Sequence, residues 1–386
     1  MKKLLKFWVV RAAGVMVCVL GGVGFAVAGP QYVITNDDPG VSFYAVARDG
    51  TLKLQRQVQI GGFGTVAGFF GANRIVMLNS KDQQCVYASV PSLGEVVGIA
   101  VGTLTIGGSA SGSGNDNGAA NGIGLAVNGS YLYASFADSN TIATFQVMAG
   151  CGVAFVNDIA AGGLAGGLIN GMAIHGNFMI TSFTDGSIES FSISAGVPVS
   201  NGDEQYSSAT LTSQDSTYPN AIDITSDGHF AIFGDTSTLE SVEVSDISSG
   251  KLGQTVVHKS KASISASNVI LSPDETLLYV INTQGDTVSA YNFDKTTGKL
   301  SGGCISGPIR GQSANWSYLA GPSLISTSGN GGGVYVAEFG GPSAIAMVTL
   351  TSSGKNCSLQ ESTQSPFADP DSQGLLSIGM FPPRAF

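Results

Sequence analysis

The chain has 386 residues, of which 11% are charged and 54 are glycine, and its formal net charge is −10. So acidic a protein is a poor binder of nucleic acid or of an anionic membrane surface. Glycine at this level without a collagen-like period suits many tight turns. Short runs rich in Val, Ile, Tyr, Phe and Thr predict an all-β chain.

The N-terminus has the features of a secretory signal peptide. Four basic residues precede an apolar run from Ala12 to Val27, which ends in the small-residue site Ala26-Val27-Ala28. We therefore expect residues 1–28 to be a cleaved signal peptide and residues 29–386 to be the mature domain. Cleavage would remove four positive charges and no acid, leaving a net charge of −14. An uncleaved membrane anchor is the alternative, because the run is nearly long enough to span a bilayer.

A unit of about fifty residues recurs along the mature chain. Its clearest marker is an apolar tripeptide, and seven copies begin at steps of 43 to 57 residues: Tyr32-Val33-Ile34, Ile75-Val76-Met77, Leu132-Tyr133-Ala134, Phe178-Met179-Ile180, Phe230-Ala231-Ile232, Leu278-Tyr279-Val280 and Val334-Tyr335-Val336. Repeats of this length with several short strands each are typical of propellers, in which neighbouring blades bury each other's apolar faces. The sequence predicts a seven-bladed β-propeller.

Each unit predicts four strands, with the tripeptide in the second. The first unit begins at Tyr32 and has no room for a first strand, whereas residues 372–380 remain after the seventh unit and match a first strand. We expect this C-terminal strand to pair into the first blade and close the ring, which removes free sheet edges.

Four cysteines remain after cleavage: Cys85, Cys151, Cys304 and Cys357. In an exported protein they could form two disulfides in three connectivities. We expect a Cys304–Cys357 bridge, because each residue is predicted to begin the fourth strand of one of two adjacent blades. A secreted or periplasmic monomer is the resulting expectation.

Unit six carries a family resemblance. Its residues Leu278-Tyr279-Val280-Ile281-Asn282, Val288-Ser289-Ala290-Tyr291 and Gly298-Lys299-Leu300, preceded by Ser272-Pro273-Asp274-Glu275, resemble the YVTN-type repeat of lactonase-type seven-bladed propellers. That group includes phosphogluconolactonase-like and carboxymuconate-cyclising enzymes. The resemblance covers nearly the whole mature chain and implies the fold more strongly than an activity.

Similar enzymes usually carry His or Arg where several first strands begin, at the mouth of the central channel. The matching positions here are Asn121, Asn170, Asn220 and Asn268, with Ser323 in unit seven. Amides donate and accept hydrogen bonds but cannot serve as an acid or a base. They either begin the strand or form a neutral ring that binds a small polar ligand, a carbohydrate or a protein partner; no nucleic-acid partner is expected.

The face of the ring that carries this mouth, here called the upper face, is predicted to be acidic. The turns between second and third strands supply Asp37, Asp38, Asp82, Asp138, Asp185, Asp235, Asp286 and Glu338, with Lys81 as a cation. These acids either cap their turns or form a rim. Calcium prefers clustered oxygen ligands, and Asn115-Asp116-Asn117 is the candidate stretch for it. No residue is assigned as a metal ligand. Arg310, Trp316 and Tyr318 share a long connection that suits ligand contact.

The three histidines lie away from the predicted mouth. His175 and His229 fall in turns between first and second strands, and His258 lies on a fourth strand. General acid–base chemistry by His is therefore not expected at the mouth. Two functions stay open: a non-catalytic binding or surface-interaction scaffold, and a divergent lactonase that acts as a hydrolase or cycloisomerase. The missing His and Arg favour the scaffold.

Overall fold

The computed structural model describes residues 31–36, 40–62, 73–112, 123–206, 219–235, 241–247, 250–253, 255–259, 266–282, 285–310, 322–327, 332–338, 344–352, 357–368 and 377–383. These residues form seven small antiparallel sheets, the blades of a β-propeller. Two single-turn 3-10 helices interrupt the strands, at Pro91–Leu93 and Ala149–Cys151. No helix in this part of the chain is long and apolar enough to cross a membrane.

The strands follow one another from the channel outward within each blade. In chain order, blade one contains β1 (Tyr32–Asn36), β2 (Gly40–Val46) and β3 (Leu52–Gln59); blade two contains β4 (Ile75–Asn79), β5 (Gln84–Val90), β6 (Glu95–Ala100) and β7 (Thr105–Ser111); blade three contains β8 (Ile123–Asn128), β9 (Tyr131–Phe136), β10 (Thr141–Val147) and β11 (Val153–Ala160); and blade four contains β12 (Ile169–His175), β13 (Phe178–Phe183), β14 (Ser187–Ser194), β15 (Val197–Ser200) and the short β16 (Gln205–Tyr206).

The remaining blades repeat this order. Blade five contains β17 (Pro219–Ile224), β18 (Phe230–Asp235), β19 (Ser241–Asp246) and β20 (Thr255–Lys259); blade six contains β21 (Ala266–Leu271), β22 (Leu277–Asn282), β23 (Thr287–Asp294) and β24 (Lys299–Ile305); and blade seven contains β25 (Pro322–Thr327), β26 (Gly333–Glu338), β27 (Ala344–Ser352), β28 (Ser358–Glu361) and the short β29 (Phe367–Ala368).

The last strand closes the ring, as the sequence predicts. β30 (Ser377–Phe381) pairs antiparallel with β1, from Ser377 opposite Asn36 to Phe381 opposite Tyr32. Blade one is thus built from both ends of the chain. The inner strand β30 also contacts the inner strands of blades seven and two, so that the inner strands form a continuous circle around the channel.

Burial follows the position of a strand within its blade. A second strand lies between two neighbouring blades, so both of its faces are covered. Accordingly, all residues of β9 and β22 except the first are buried. A fully buried tyrosine recurs at one position of this strand, in Tyr87, Tyr133, Tyr279 and Tyr335. Outer strands such as β3 and β7 are largely exposed and polar, which suits an edge facing solvent.

Two disulfides join adjacent blades. Cys85 of β5 in blade two is bonded to Cys151, which follows β10 in blade three. Cys304 of β24 in blade six is bonded to Cys357, immediately before β28 in blade seven. The predicted Cys304–Cys357 bridge is confirmed, although Cys304 lies near the end of its strand and not at its start.

The sequence alignment of unit two is wrong by one strand. Ile75-Val76-Met77 was matched to second strands, but it lies in β4, the inner strand. The true counterpart of Leu132-Tyr133-Ala134 is Val86-Tyr87-Ala88 in β5. The physical reason is that both inner and second strands are short, buried and apolar, so tripeptide composition alone cannot separate them. Lys81 and Asp82 therefore lie in the turn between first and second strands, on the face of the ring opposite the upper face, here called the lower face.

Candidate functional site

The mouth of the channel lies where the inner strands begin. In blades four, six and seven, the pairing register shifts at the second residue of the inner strand, leaving Asn170, Ser267 and Ser323 as the extra, bulged residues. Blade five shifts at the same place, between Pro219 and Ile222. A bulge inserts one extra residue into a strand and re-aims the side chains around it. The mouth therefore has a repeated irregularity that the sequence spacing does not reveal.

The pairing register shows that the four asparagines predicted to form a ring do not all occupy the same strand position. Asn170 and Asn220 lie at the bulge, but Asn268 lies one residue further along, opposite Ile281, and Ser267 takes the bulged position in blade six. Asn170 and Asn268 are both buried. Of Asn220 and Ser323 the strand positions alone are described, and Asn121 lies outside the described residues. The two described amides thus belong to two successive positions at the mouth, not to one.

Blade two adds a residue that sequence reasoning missed. Since β4 is the inner strand, Asn73-Arg74 precedes it at the channel mouth. The Arg74 carbonyl accepts a hydrogen bond from the Ser89 amide at 3.0 Å, so Arg74 lies opposite Ser89 just as Asn268 lies opposite Ile281. A correct alignment of Val86-Tyr87-Ala88 with Leu132-Tyr133-Ala134 would have identified it.

Arg74 is almost completely buried. Burial lowers the pKa of its guanidinium to about 10, so it remains charged at neutral pH. Its backbone is fixed from blade one, where Asn36 Nδ2 donates to the Arg74 carbonyl at 3.3 Å and to the Ser89 carbonyl at 2.9 Å. One position where lactonase-type propellers often carry His or Arg is therefore occupied by Arg here, which corrects the expectation that such groups are missing.

Asn73 connects three inner strands. Its backbone has a left-handed φ of 64°, a conformation that Asn tolerates better than most residues. Its carbonyl accepts from the Leu125 amide of β8 at 3.0 Å, and its Nδ2 donates to the Met172 carbonyl of β12 at 3.4 Å. Because Met172 lies two blades away, the Asn73 amide must reach past the inner strand of blade three.

The fold distributes the acids predicted for the upper face over several blades and over both faces of the ring. Asp138, Asp185 and Asp286 lie in turns between second and third strands, and Glu338 ends the second strand of blade seven. Asp82 is on the lower face, Asp37 and Asp38 lie outside the described residues, and Asp235 is described by its strand position alone. No group of three or more His, Cys, Asp or Glu among the described residues is arranged to hold a metal ion. Asn115-Asp116-Asn117 lies outside them.

Asp185 caps its own turn and fixes a neighbouring loop. Its carboxylate accepts hydrogen bonds from the amide and hydroxyl of Ser187, at 3.0 and 2.7 Å. It also accepts from the amides of Ala165 and Gly167 in the connection into blade four, at 2.7 and 3.2 Å. Partial burial opposes its ionisation, but these hydrogen bonds together outweigh burial and lower its pKa. Asp185 therefore has the structural role of a turn cap.

Arg310 is engaged with blade seven. Its Nε lies 3.3 Å from Glu361 Oε2, its amide donates to the same oxygen at 2.8 Å, and Nη2 donates to the Ser362 carbonyl. Ser365 Oγ donates to Glu361 Oε1 at 2.7 Å. Arg310 thus ties the start of its connection to the outer strand β28. Its proposed aromatic companions Trp316 and Tyr318 lie outside the described residues.

Glu338 is the most unusual carboxyl of this face. It is 1% exposed, and neither carboxyl oxygen has a hydrogen-bond partner among the described residues. Burial raises its pKa to about 8, assisted by repulsion from Glu361 and Asp286, while Arg310 opposes the rise. At neutral pH Glu338 is therefore mostly protonated and uncharged. Burial also raises the pKa of Asp286.

The histidines lie where the sequence predicts. His175 ends β12 and His229 precedes β18, so both belong to lower-face turns, and His258 lies in the outer strand β20. His229 Nε2 is 3.5 Å from Asp246 Oδ1. In the part of the chain that the structure describes, the polar residues at the starts of the inner strands are amides, hydroxyls and one guanidinium, and the carboxyl of Glu338 lies on the strand opposite the first residue of the inner strand of blade seven.

Comparisons with known proteins support the fold. No protein-family model matches the chain, and no curated protein sequence does. Among solved structures, a candidate 6-phosphogluconolactonase from Bacteroides fragilis superposes with a TM-score of 0.68 at 15% identity, covering 92% of this chain and 99% of that one. A periplasmic gluconolactonase from Pseudomonas aeruginosa gives 0.63 at 14% identity, with 91% and 99% covered.

A protein of unknown function from Desulfotomaculum acetoxidans gives a TM-score of 0.67 at 15% identity, again covering 91% and 99% of the two chains. Identities this low establish a common fold and no common activity. The chain has the seven-bladed propeller fold of the lactonase-like proteins.

Proposed function

We propose that this chain is an extracytoplasmic propeller that binds a small, hydroxyl-rich ligand, such as a carbohydrate, at its channel mouth without turning it over. The observation that carries the proposal is the set of amides at the starts of inner strands: Asn170 and Asn268, which are buried, and Asn73, which is partly buried. Amides both donate and accept hydrogen bonds, which matches the two roles of a sugar hydroxyl.

The electrostatics of the mouth favour binding over catalysis. Arg74 keeps its proton at neutral pH because its pKa is about 10, so it can hold a carbonyl or hydroxyl oxygen but cannot exchange protons there. The mature chain is also strongly acidic. A neutral ligand therefore meets less repulsion than a phosphorylated one would.

Two features support a place outside the cytoplasm. Both disulfides join adjacent blades, and bonds of this kind persist in oxidising compartments. The N-terminal 28 residues have the pattern of an export signal.

Calorimetric titration of residues 29–386 with neutral monosaccharides would test the proposal. We expect binding that Asn170→Ala or Asn268→Ala weakens about tenfold, the cost of one to two lost hydrogen bonds. Asn128→Ala is the matched control, because Asn128 donates to the Gly176 carbonyl on the lower face. Equal affinity in all four proteins would contradict a site at the mouth.

A divergent lactonase is the second candidate, and Arg74 is the observation that favours it. Hydrolysis of glucono-δ-lactone and of a phosphorylated lactone, followed in a pH-stat with and without calcium, separates the two. We expect rates no higher than the spontaneous reaction. Turnover that Arg74→Gln abolishes and Asn128→Ala retains would replace the binding function with a catalytic one.

A further inference from the structure

The slot between blades six and seven contains a carboxyl at a strand position where blades three and four have an aromatic ring and blades one and six have the neutral amides Asn36 and Asn282. Glu338 pairs with Pro322, the first residue of its inner strand, as Phe136 pairs with Ile123 and Phe183 with Ile169. Phe136 and Phe183 are fully buried and pack in apolar clusters with the preceding blade. Glu338 takes the same place, with blade six as its preceding neighbour.

The surroundings of Glu338 carry more negative than positive charge. The charges that act on Glu338 are those of Asp286 in the turn of blade six, Glu361 at the end of β28, and Arg310 in the connection that follows β24. Arg310 is already paired with Glu361 through its amide and its Nε. Within the described residues, neither Asp286 nor Glu338 forms an ion pair of its own. In the sequence, residues 283–284, 311–321 and 339–343, which lie outside the described residues, contain no Lys, Arg or His.

Burying a carboxyl without a hydrogen-bond partner is costly. In the free protein the cost is reduced because Glu338 keeps its proton, as its raised pKa indicates. A bound cation would also reduce this cost, because its positive charge would offset the negative charge of the ionised carboxylate. No cluster of three metal-ligating side chains occurs in the described chain, so the cation that fits is one that needs fewer oxygens and donates hydrogen bonds to them.

We propose that the slot between blades six and seven binds an organic ammonium group, which ionised Glu338 accepts through its two free oxygens with Asp286 beside it. On binding, the proton of the Glu338 carboxyl goes to solvent and the ammonium keeps its own protons. The Arg310 side chain, whose charge acts on Glu338, is half-exposed to solvent. The Cys304–Cys357 bond joins the same two blades at their outer strands and so restricts their separation before the ligand arrives.

Titration calorimetry of the disulfide-intact mature chain with ethylammonium tests this site. Measurements near pH 7 in two buffers of different ionisation enthalpy should show that up to about one proton leaves per amine bound. Ethanol, which has no charge, and tetramethylammonium, which donates no hydrogen bond, should fail to bind. Glu338→Gln should weaken ethylammonium binding at least tenfold.

Glu189→Gln is the matched control, because Glu189 is another buried carboxyl of raised pKa but accepts a hydrogen bond from Ser200. Glu338→Phe, which copies blades three and four, serves as a second variant if the Gln protein folds poorly. Absent binding of ethylammonium at millimolar concentration, unchanged affinity in both Glu338 variants, or binding without proton release would each overturn the proposal. Because these variants change Glu338 and leave Asn170 and Asn268 in place, the results do not depend on the carbohydrate experiment.

Discussion

The hydroxyl of Tyr335 in blade seven donates a 2.9 Å hydrogen bond to the backbone carbonyl of Gly50 in blade one. Gly50 lies in the turn between β2 and β3 and has a left-handed φ of 83°. The bond therefore joins the last complete blade to the blade that both chain ends build. Burial raises the pKa of Tyr335 to about 12, so the hydroxyl keeps its proton at all ordinary pH values.

Tyr335→Phe should lower the free energy of unfolding by about 1 kcal/mol, because it leaves the Gly50 carbonyl without this donor. Tyr133→Phe is the matched control: Tyr133 occupies the same strand position and is fully buried, but its hydroxyl has no partner among the described residues. That change should be neutral or stabilising. Guanidinium unfolding of both variants checks the difference, and equal losses would contradict it.

Removal of β30 should open the ring. Truncation before Ser372 deletes Ile378, Met380 and Phe381, all buried, and exposes the edge of β1. We expect a loss on the order of 5 kcal/mol or more from apolar burial alone, seen as a large fall in melting temperature. Truncation after Pro383, which keeps the whole of β30, is the control. An unchanged melting temperature in the shorter protein would rule out closure by this strand.

The propeller could be predicted from the sequence because burial repeats with the blades. Leu278-Tyr279-Val280 and Val334-Tyr335-Val336 mark strands covered on both faces, and residues 377–381 have the same apolar character. The site could be predicted less well. Asn268 and Ser267 exchange places because a bulge shifts the register, and bulges have no signature in a single sequence. The sequence does not identify Arg74 because β4 and β5 are similarly apolar. Either strand can be aligned with the second strand of the repeat, and only the alignment of β5 places Arg74 at the mouth.

The two disulfides should be recovered by mass spectrometry of non-reduced peptides as Cys85–Cys151 and Cys304–Cys357. They close loops whose ends are 66 and 53 residues apart, for which the chain-entropy model predicts a stabilisation of about 4 kcal/mol each. Cys304→Ser with Cys357→Ser should therefore lower the melting temperature clearly. Detection of a Cys151–Cys304 peptide would disprove the pairing.

Asp185 should stabilise the protein at neutral pH and not in acid. Its folded-state pKa is lowered, so its contribution is present above the unfolded value of about 4 and is lost as pH falls below it. Asp185→Asn should lower the free energy of unfolding by about 1–3 kcal/mol at pH 7. The difference from wild type should shrink toward pH 3. A difference that is constant with pH would show that charge is not the cause.

Glu338 should have the opposite pH dependence. Its pKa rises from 4.5 to about 8 on folding, so the folded state holds a proton that the unfolded state loses as pH increases. Wild-type stability should fall between pH 4.5 and 8, by at most about 5 kcal/mol, and Glu338→Gln should flatten this slope. Urea unfolding at pH 5 and pH 8 measures it; parallel slopes in the two proteins would contradict a buried, protonated Glu338.

The pairing of β30 with β1 also sets the order of assembly. Residues 377–381 are the last part of the domain to be synthesised, yet they belong to the blade that begins it. The first blade therefore cannot be completed while the chain is still growing. Until its final residues arrive, the protein has an unpaired strand edge on β1 that a chaperone or a protease could recognise, so an incomplete chain is distinguishable from a finished one.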